Sequence, residues 1–155
     1  LNSIQEIWWD VRPHPRFGTV EVRIFDLPQS LEGTRALVAL TQCLVCALGD
    51  QIEEGVYQYD IHPIVVRQNK WKAARYGLQA ELIDPVTHST IPVRDMVFFL
   101  YEKLKPYAER LQCTQALNHV ISMVNAPSGA ERQLALYEEF GYDLAAVVRE
   151  LTVSR

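Results

Sequence analysis

Apolar and polar positions alternate from Thr19 to Phe25, with Val20, Val22 and Ile24 on one face and Glu21, Arg23 and Phe25 on the other. That is the period-2 pattern of a half-buried β-strand, and the valine face is expected to be core. The residues before it, Leu1 to Arg16, read as an irregular entry anchored by Trp8 and Trp9, because Pro13 and Pro15 each withhold a ladder donor. After the strand, Ser30 or Thr34 can cap a helix that runs to about Leu48 and stops at Gly49. Its side chains are apolar nearly all round, which predicts packing on both sides. Gln51 to Tyr59 extends the helical region, with Gly55 as its weak point.

Farther on, Asp60-Ile61-His62-Pro63 is a helix start, since proline near the first turn gives up a donor that has no partner there, and Gly77 ends that helix. Leu78 to Val93 alternates, turns at Asp84-Pro85 and returns through Ser89 to Val93, a hairpin expected to form one sheet with the first strand. His88 sits at its tip, exposed. The pattern from Arg94 onward is helical: a segment to Lys105, a break at Pro106, a segment capped by Thr114, a helix Ala130–Phe140 with Ser128 and Glu131 as its capping box, and a last helix after Asp143. The fold class is α+β, mostly helical with a few antiparallel strands, in one domain covering residues 1–155.

A chain of 155 residues that is 48% apolar and 22% charged builds one core. Its net charge of −4 argues against general affinity for nucleic acid or an anionic membrane. Three cysteines, two of them in an apolar helix, predict buried thiols in a reducing cytoplasm and no disulfide framework. Cys43-Leu44-Val45-Cys46 has no second pair to make a metal site. No basic segment followed by an apolar run opens the chain, and Leu1 in place of Met suggests a start within a longer protein. The run Ala36–Leu48 is shorter than the roughly 20 residues a bilayer demands, so no membrane span is expected.

Glu21 and Arg23 lie side by side about 7 Å apart along their strand. A carboxylate able to ligate Mg²⁺ or Mn²⁺ beside a guanidinium able to clamp phosphate or carboxylate oxygens suits a metal-chelated polyanion. The other reading is a same-face ion pair on a solvated strand. Arg12, His14 and Arg16 nearby favour a polyanion pocket, with Arg12 and Arg16 as candidates for binding the anionic substrate. On the second helix Arg67, Trp71 and Arg75 share one face at i, i+4 and i+8 and could hold an anion, or form a basic surface with Trp71 reaching into the core. Arg132 and Gln133 open a later helix, where an anion can bind or the start is simply exposed.

Trp9, Asp10, Arg12, Pro13, Phe17, Gly18, Thr19, Val20, Glu21, Val22 and Arg23 make up W-x-D-x-R-P-x-x-x-F-G-T-V-E-V-R, which resembles the carboxylate-amine ligases of the type 2 glutamate-cysteine ligase family. Asn69 to Leu78 and Gly129 to Gln133 agree with the same family. The resemblance implies the C-terminal part of a glutamine synthetase-like catalytic fold, and an ATP-dependent ligase joining a carboxylate such as glutamate to an amine such as cysteine through an acyl phosphate, with Mg²⁺ or Mn²⁺. It places a metal ligand at Glu21, catalytic roles at Arg23 and Arg75, and substrate or ATP contacts at Asn69 and Trp71. One acidic strand is too few for such a site. The remaining sheet is therefore expected before Leu1, this chain alone is expected to be inactive, and its exposed edge favours homo-oligomers. The alternative is a noncatalytic helical module for assembly or regulation; an unrelated nucleotide fold lacks G-x-G-x-x-G or G-x-x-x-x-G-K-[ST] here.

Overall fold

The computed structural model describes residues 6, 8–56 and 61–153. In chain order the elements are β1 (Val11–His14), β2 (Thr19–Val22), α1 (Leu31–Glu53), α2 (Pro63–Tyr76), a 3₁₀ turn at Gly77–Gln79, β3 (Glu81–Ile83), β4 (Thr90–Pro92), α3 (Val93–Arg110), α4 (Thr114–Asn125), α5 (Gly129–Glu139) and α6 (Leu144–Val153). The core lies where α1, α3 and α4 meet. Ala36, Ala39, Cys43 and Ala47 recur every three or four residues along α1, and all are buried against Leu104 and Ala108 of α3 and Leu117 and Val120 of α4. Small side chains on α1 let the neighbouring helices approach closely, since the residues at the contact set the interaxial distance. Leu104 and Leu117 are the largest fully buried side chains, and each contributes about 1.5–3 kcal/mol by leaving water.

Several expectations change. Helix α1 passes through Gly49 and ends at Gly55, whose φ is +72°. Gly55 N–H donates to Ile52 O and Val56 N–H to Gln51 O, the paired bonds of a Schellman stop. A glycine inside a packed helix costs only about 1 kcal/mol, so Gly49 does not terminate it. Nor is α1 packed on both sides: Leu31, Val38, Val45, Leu48 and Ile52 are exposed. At 23 residues it is long and apolar enough to cross a bilayer by length and composition, so the run of 13 residues does not by itself exclude a span. Its buried alanine stripe shows the other use of such a helix, as a core element.

Helix α3 is continuous through Pro106, because Leu104 and Ala108 on either side are both buried and hold the segment helical. The N-cap of α4 is Cys113, one residue before Thr114. Among the described residues there are two separate two-stranded sheets, β1–β2 and β3–β4, where one was expected. The start and stop of α2, the exposed His88 tip, the Ser128–Glu131 capping box and the Asp143 cap match the pattern. Tyr57–Asp60 lies outside the described residues.

Candidate functional site

Residues expected to be irregular form β1, which pairs antiparallel with β2 in the register Val11–Val22, Arg12–Glu21, Pro13–Val20 and His14–Thr19. Arg23 N–H donates to Asp10 O at 2.7 Å, so the hydrogen-bonded pairs alternate to Arg12–Glu21 and His14–Thr19. Pro13 therefore falls opposite Val20 at a position whose N–H would point away from the partner strand. That is how Pro13 is compatible with a ladder here, while Pro15 lies beyond β1 in the turn. The turn closes through Phe17 N–H to His14 O at 3.1 Å and Gly18 at φ +61°. Beyond Val22 the strand ends, and the supposed core face is open: Val20 is 62% and Ile24 52% exposed.

Cross-strand pairing sets Arg12 and Glu21 on one face. Arg12 donates to Glu21 Oε2 from Nε at 3.0 Å and from Nη2 at 2.6 Å, while Arg23 Nη1 lies 3.7 Å from Oε1. Arg23 also rests 5.0 Å from the Trp8 ring centroid, a cation–π distance. The Arg12 hydrogen bond, above all, holds the Glu21 carboxyl below its usual range; desolvation is the next largest influence and opposes it, and the charges of Arg12, Arg23 and His14 add to the lowering. His14 stacks on Phe17 at 4.6 Å, and its buried Nδ1 has no hydrogen-bond partner among the described residues. Glu21 is thus neither a bare metal ligand nor half of a simple pair. It is a carboxylate between two guanidinium groups.

The other candidates fall elsewhere. Arg16 stands over Phe17 at 5.6 Å, outside the Arg12–Glu21–Arg23 group. Asn69 uses its whole amide on β3, donating to Ile83 O at 2.8 Å and accepting from Ile83 N–H at 2.7 Å. Trp71 does not reach the core; it is 54% exposed and meets Tyr76 edge-on at 5.8 Å, with Arg75 6.0 Å from the same ring. Arg67 is exposed on the same helix. Lys70 is a surface cation as expected, 53% exposed, and its partner is one the sequence did not show: it donates to both carboxylate oxygens of Asp10 at 2.7 and 2.6 Å. This pair ties α2 to the hairpin. Asp10 stood in the quoted W-x-D motif, so its presence was a usable signal, whereas nothing local named Lys70 as its partner.

Beside the hairpin, Val22, Phe25, Pro28, Leu37 and Val38 line an open apolar groove between the chain leaving β2 and α1. Among the described residues no three His, Cys, Asp or Glu side chains converge as metal donors. A divalent cation of the magnesium or calcium kind takes six or more oxygens, so Glu21 alone does not make such a site.

The family described as glutamate-cysteine ligase family 2 matches residues 2–150. A relative from Gloeobacter violaceus named "Putative glutamate-cysteine ligase 2" is 39% identical over 151 residues, 97% of this chain and 40% of its own length. A protein of the same name from Thermobifida fusca is 40% identical over 141 residues, 91% of this chain and 35% of its own. One from Frankia alni named "Putative glutamate-cysteine ligase 2-1" is 42% identical over 152 residues, 97% and 40% respectively. The chain spans about two fifths of the length of the curated relatives it matches. With the Arg12–Glu21–Arg23 hairpin, Asn69 and the Ser128 capping box all inside the matched range, the chain belongs to glutamate-cysteine ligase family 2.

Proposed function

We propose that this chain forms part of the active site of an ATP-dependent carboxylate-amine ligase, in which a carboxylate such as that of glutamate is activated as an acyl phosphate and captured by an amine such as cysteine. The observation that carries the reading is the Arg12–Glu21–Arg23 group on a hairpin inside the family match. ATP would supply the phosphoryl group, and a bound Mg²⁺ or Mn²⁺ would neutralise phosphate oxygens. This chain's own part is electrostatic. Arg23, 3.7 Å from Glu21 and therefore beyond hydrogen-bonding length, is the guanidinium best placed to turn toward an incoming phosphate or carboxylate. Arg12 fixes the orientation and ionised state of Glu21. Glu21 would share a cation with carboxylates supplied from outside the described residues.

Need for such a complement is supported by surface area. The chain exposes 11793 Å², where a folded monomer of 17.8 kDa exposes about 8000 Å². The excess includes the open valine face of β2 and the outer face of α1. Further ligase residues, or a second copy in a homo-oligomer, would cover them, and the chain by itself would not turn over. The working compartment is proposed to be the cytoplasm, whose reducing poise suits Cys43, Cys46 and Cys113, all free thiols in the structure.

The test is Glu21→Ala in full-length protein, assayed for amide formation dependent on ATP. The ligase reading expects turnover to fall by orders of magnitude with the thermal midpoint nearly unchanged. A noncatalytic assembly or regulatory module, in which Arg12–Glu21 is only a structural pair, expects no amide formation to lose and only a small stability change. Comparable turnover of this chain and the full-length enzyme would overturn the need for a complement.

A further inference from the structure

Cys43 and Cys113, 70 positions apart in sequence, bring their sulfurs within 3.7 Å. A disulfide needs about 2.05 Å, so the sulfurs need to close by less than 2 Å. Both ends are firmly held. Cys43 is fully buried in the alanine stripe of α1. Cys113 N–H donates to Ala108 O at 2.9 Å, ending α3, and Cys113 O accepts from Leu117 N–H at 3.0 Å, opening α4. The two thiols also differ in access. Cys113 is half-buried and lines an open groove with Thr34, Val38 and Ala116, while Cys43 has no exposed surface. Cys46, a turn along α1, is engaged instead by Arg110, which also holds Asp50 at 2.9 Å.

We propose that Cys113 and Cys43 form a reversible oxidation site, with a peroxide as the oxidant and an intrachain disulfide joining α4 to α1 as the product. In the first step the Cys113 thiolate attacks one peroxide oxygen; an S–O bond forms, the O–O bond breaks, hydroxide leaves, and sulfur gives up two electrons. Cys43 then attacks the sulfenic sulfur; an S–S bond forms, the S–O bond breaks, and the thiol proton leaves with the hydroxide as water. Access assigns the roles: Cys113 lines the open groove that a peroxide can enter, while Cys43 has no exposed surface and meets only the Cys113 sulfur; burial, and then that sulfur, also pushes the Cys43 thiol up to about 11, which keeps it protonated until the sulfenic acid forms beside it. A thiol donor such as dithiothreitol reverses the product.

The experiment treats full-length protein with hydrogen peroxide, alkylates the remaining thiols and maps the peptides by mass. The expected result is a Cys43–Cys113 cross-linked peptide two hydrogen masses lighter than the thiol pair, with Cys46 still alkylated. A rise of roughly 10 °C in the thermal midpoint, lost on adding dithiothreitol, should accompany it, because the bond closes a long loop. Cys113→Ser should abolish the cross-link. Cys43→Ala, which keeps a small apolar core residue, should leave a sulfenic acid on Cys113 that dimedone captures. Cross-links through Cys46, cross-links between chains, or both thiols still alkylated after treatment with excess peroxide would each overturn the proposal.

Discussion

Replacing Asn69 by alanine removes both bonds that hold β3 to α2, the donation to Ile83 O at 2.8 Å and the acceptance from Ile83 N–H at 2.7 Å. A net hydrogen bond is worth about 1 ± 0.5 kcal/mol, so the pair predicts a loss of about 1–3 kcal/mol, or a fall in thermal midpoint of roughly 3–10 °C for a domain of this size. Asn69→Asp is the sharper variant. It keeps the acceptor facing Ile83 N–H and presents a second carboxylate oxygen to Ile83 O where the amide donated, so it should cost at least as much as alanine. Urea denaturation followed by circular dichroism reads both, as a drop in midpoint at constant slope. Wild-type stability in Asn69→Asp would refute the pairing. If turnover of the full-length enzyme fell while stability held, Asn69 would be a substrate contact and not a positioning residue.

Leu117→Ala, at a side chain 1% exposed, should lose about 2–5 kcal/mol in the same urea titration. Pro106→Ala should gain about 1–3 kcal/mol, because it restores a donor in the middle of α3 and removes a ring that presses on the preceding turn. Arg12→Gln should raise the titration midpoint of Glu21 back toward its usual value, followed by ¹³C NMR of the carboxyl carbon. Glu21's folded-state value lies below its unfolded one, so its contribution to stability is present above the unfolded pKa and disappears as pH falls through the folded pKa. In Arg12→Gln that acid-limb dependence should flatten; an unchanged Glu21 midpoint would count against the Arg12 hydrogen bond as its main cause.

The helices were legible in the chain where the signal is local. Gly77, Ser128 with Glu131, and Asp143 mark their ends by chemistry that acts within one turn. The errors share a physical cause, which is that the deciding partner is distant in sequence. Pro13 looked like a ladder breaker because its register against Val20, and hence the direction of its missing N–H, depends on β2. Pro106 looked like a helix break because Leu104 and Ala108 are buried by residues of α1 and α4. The partners of Lys70 and Asn69 were not readable either, because Asp10 and Ile83 are 60 and 14 positions away. The same reasoning explains what was and was not readable at Glu21. Its neighbour Arg23 was visible at two residues' spacing, but Arg12, nine residues away across the hairpin, takes the stronger bonds. The strand pattern promises a buried valine face, and Val20 and Ile24 stand open, which is the surface the proposed complement would cover. On the proposed reading the Glu21 carboxylate would be half of a site, and the Arg12 hydrogen bond already orients it.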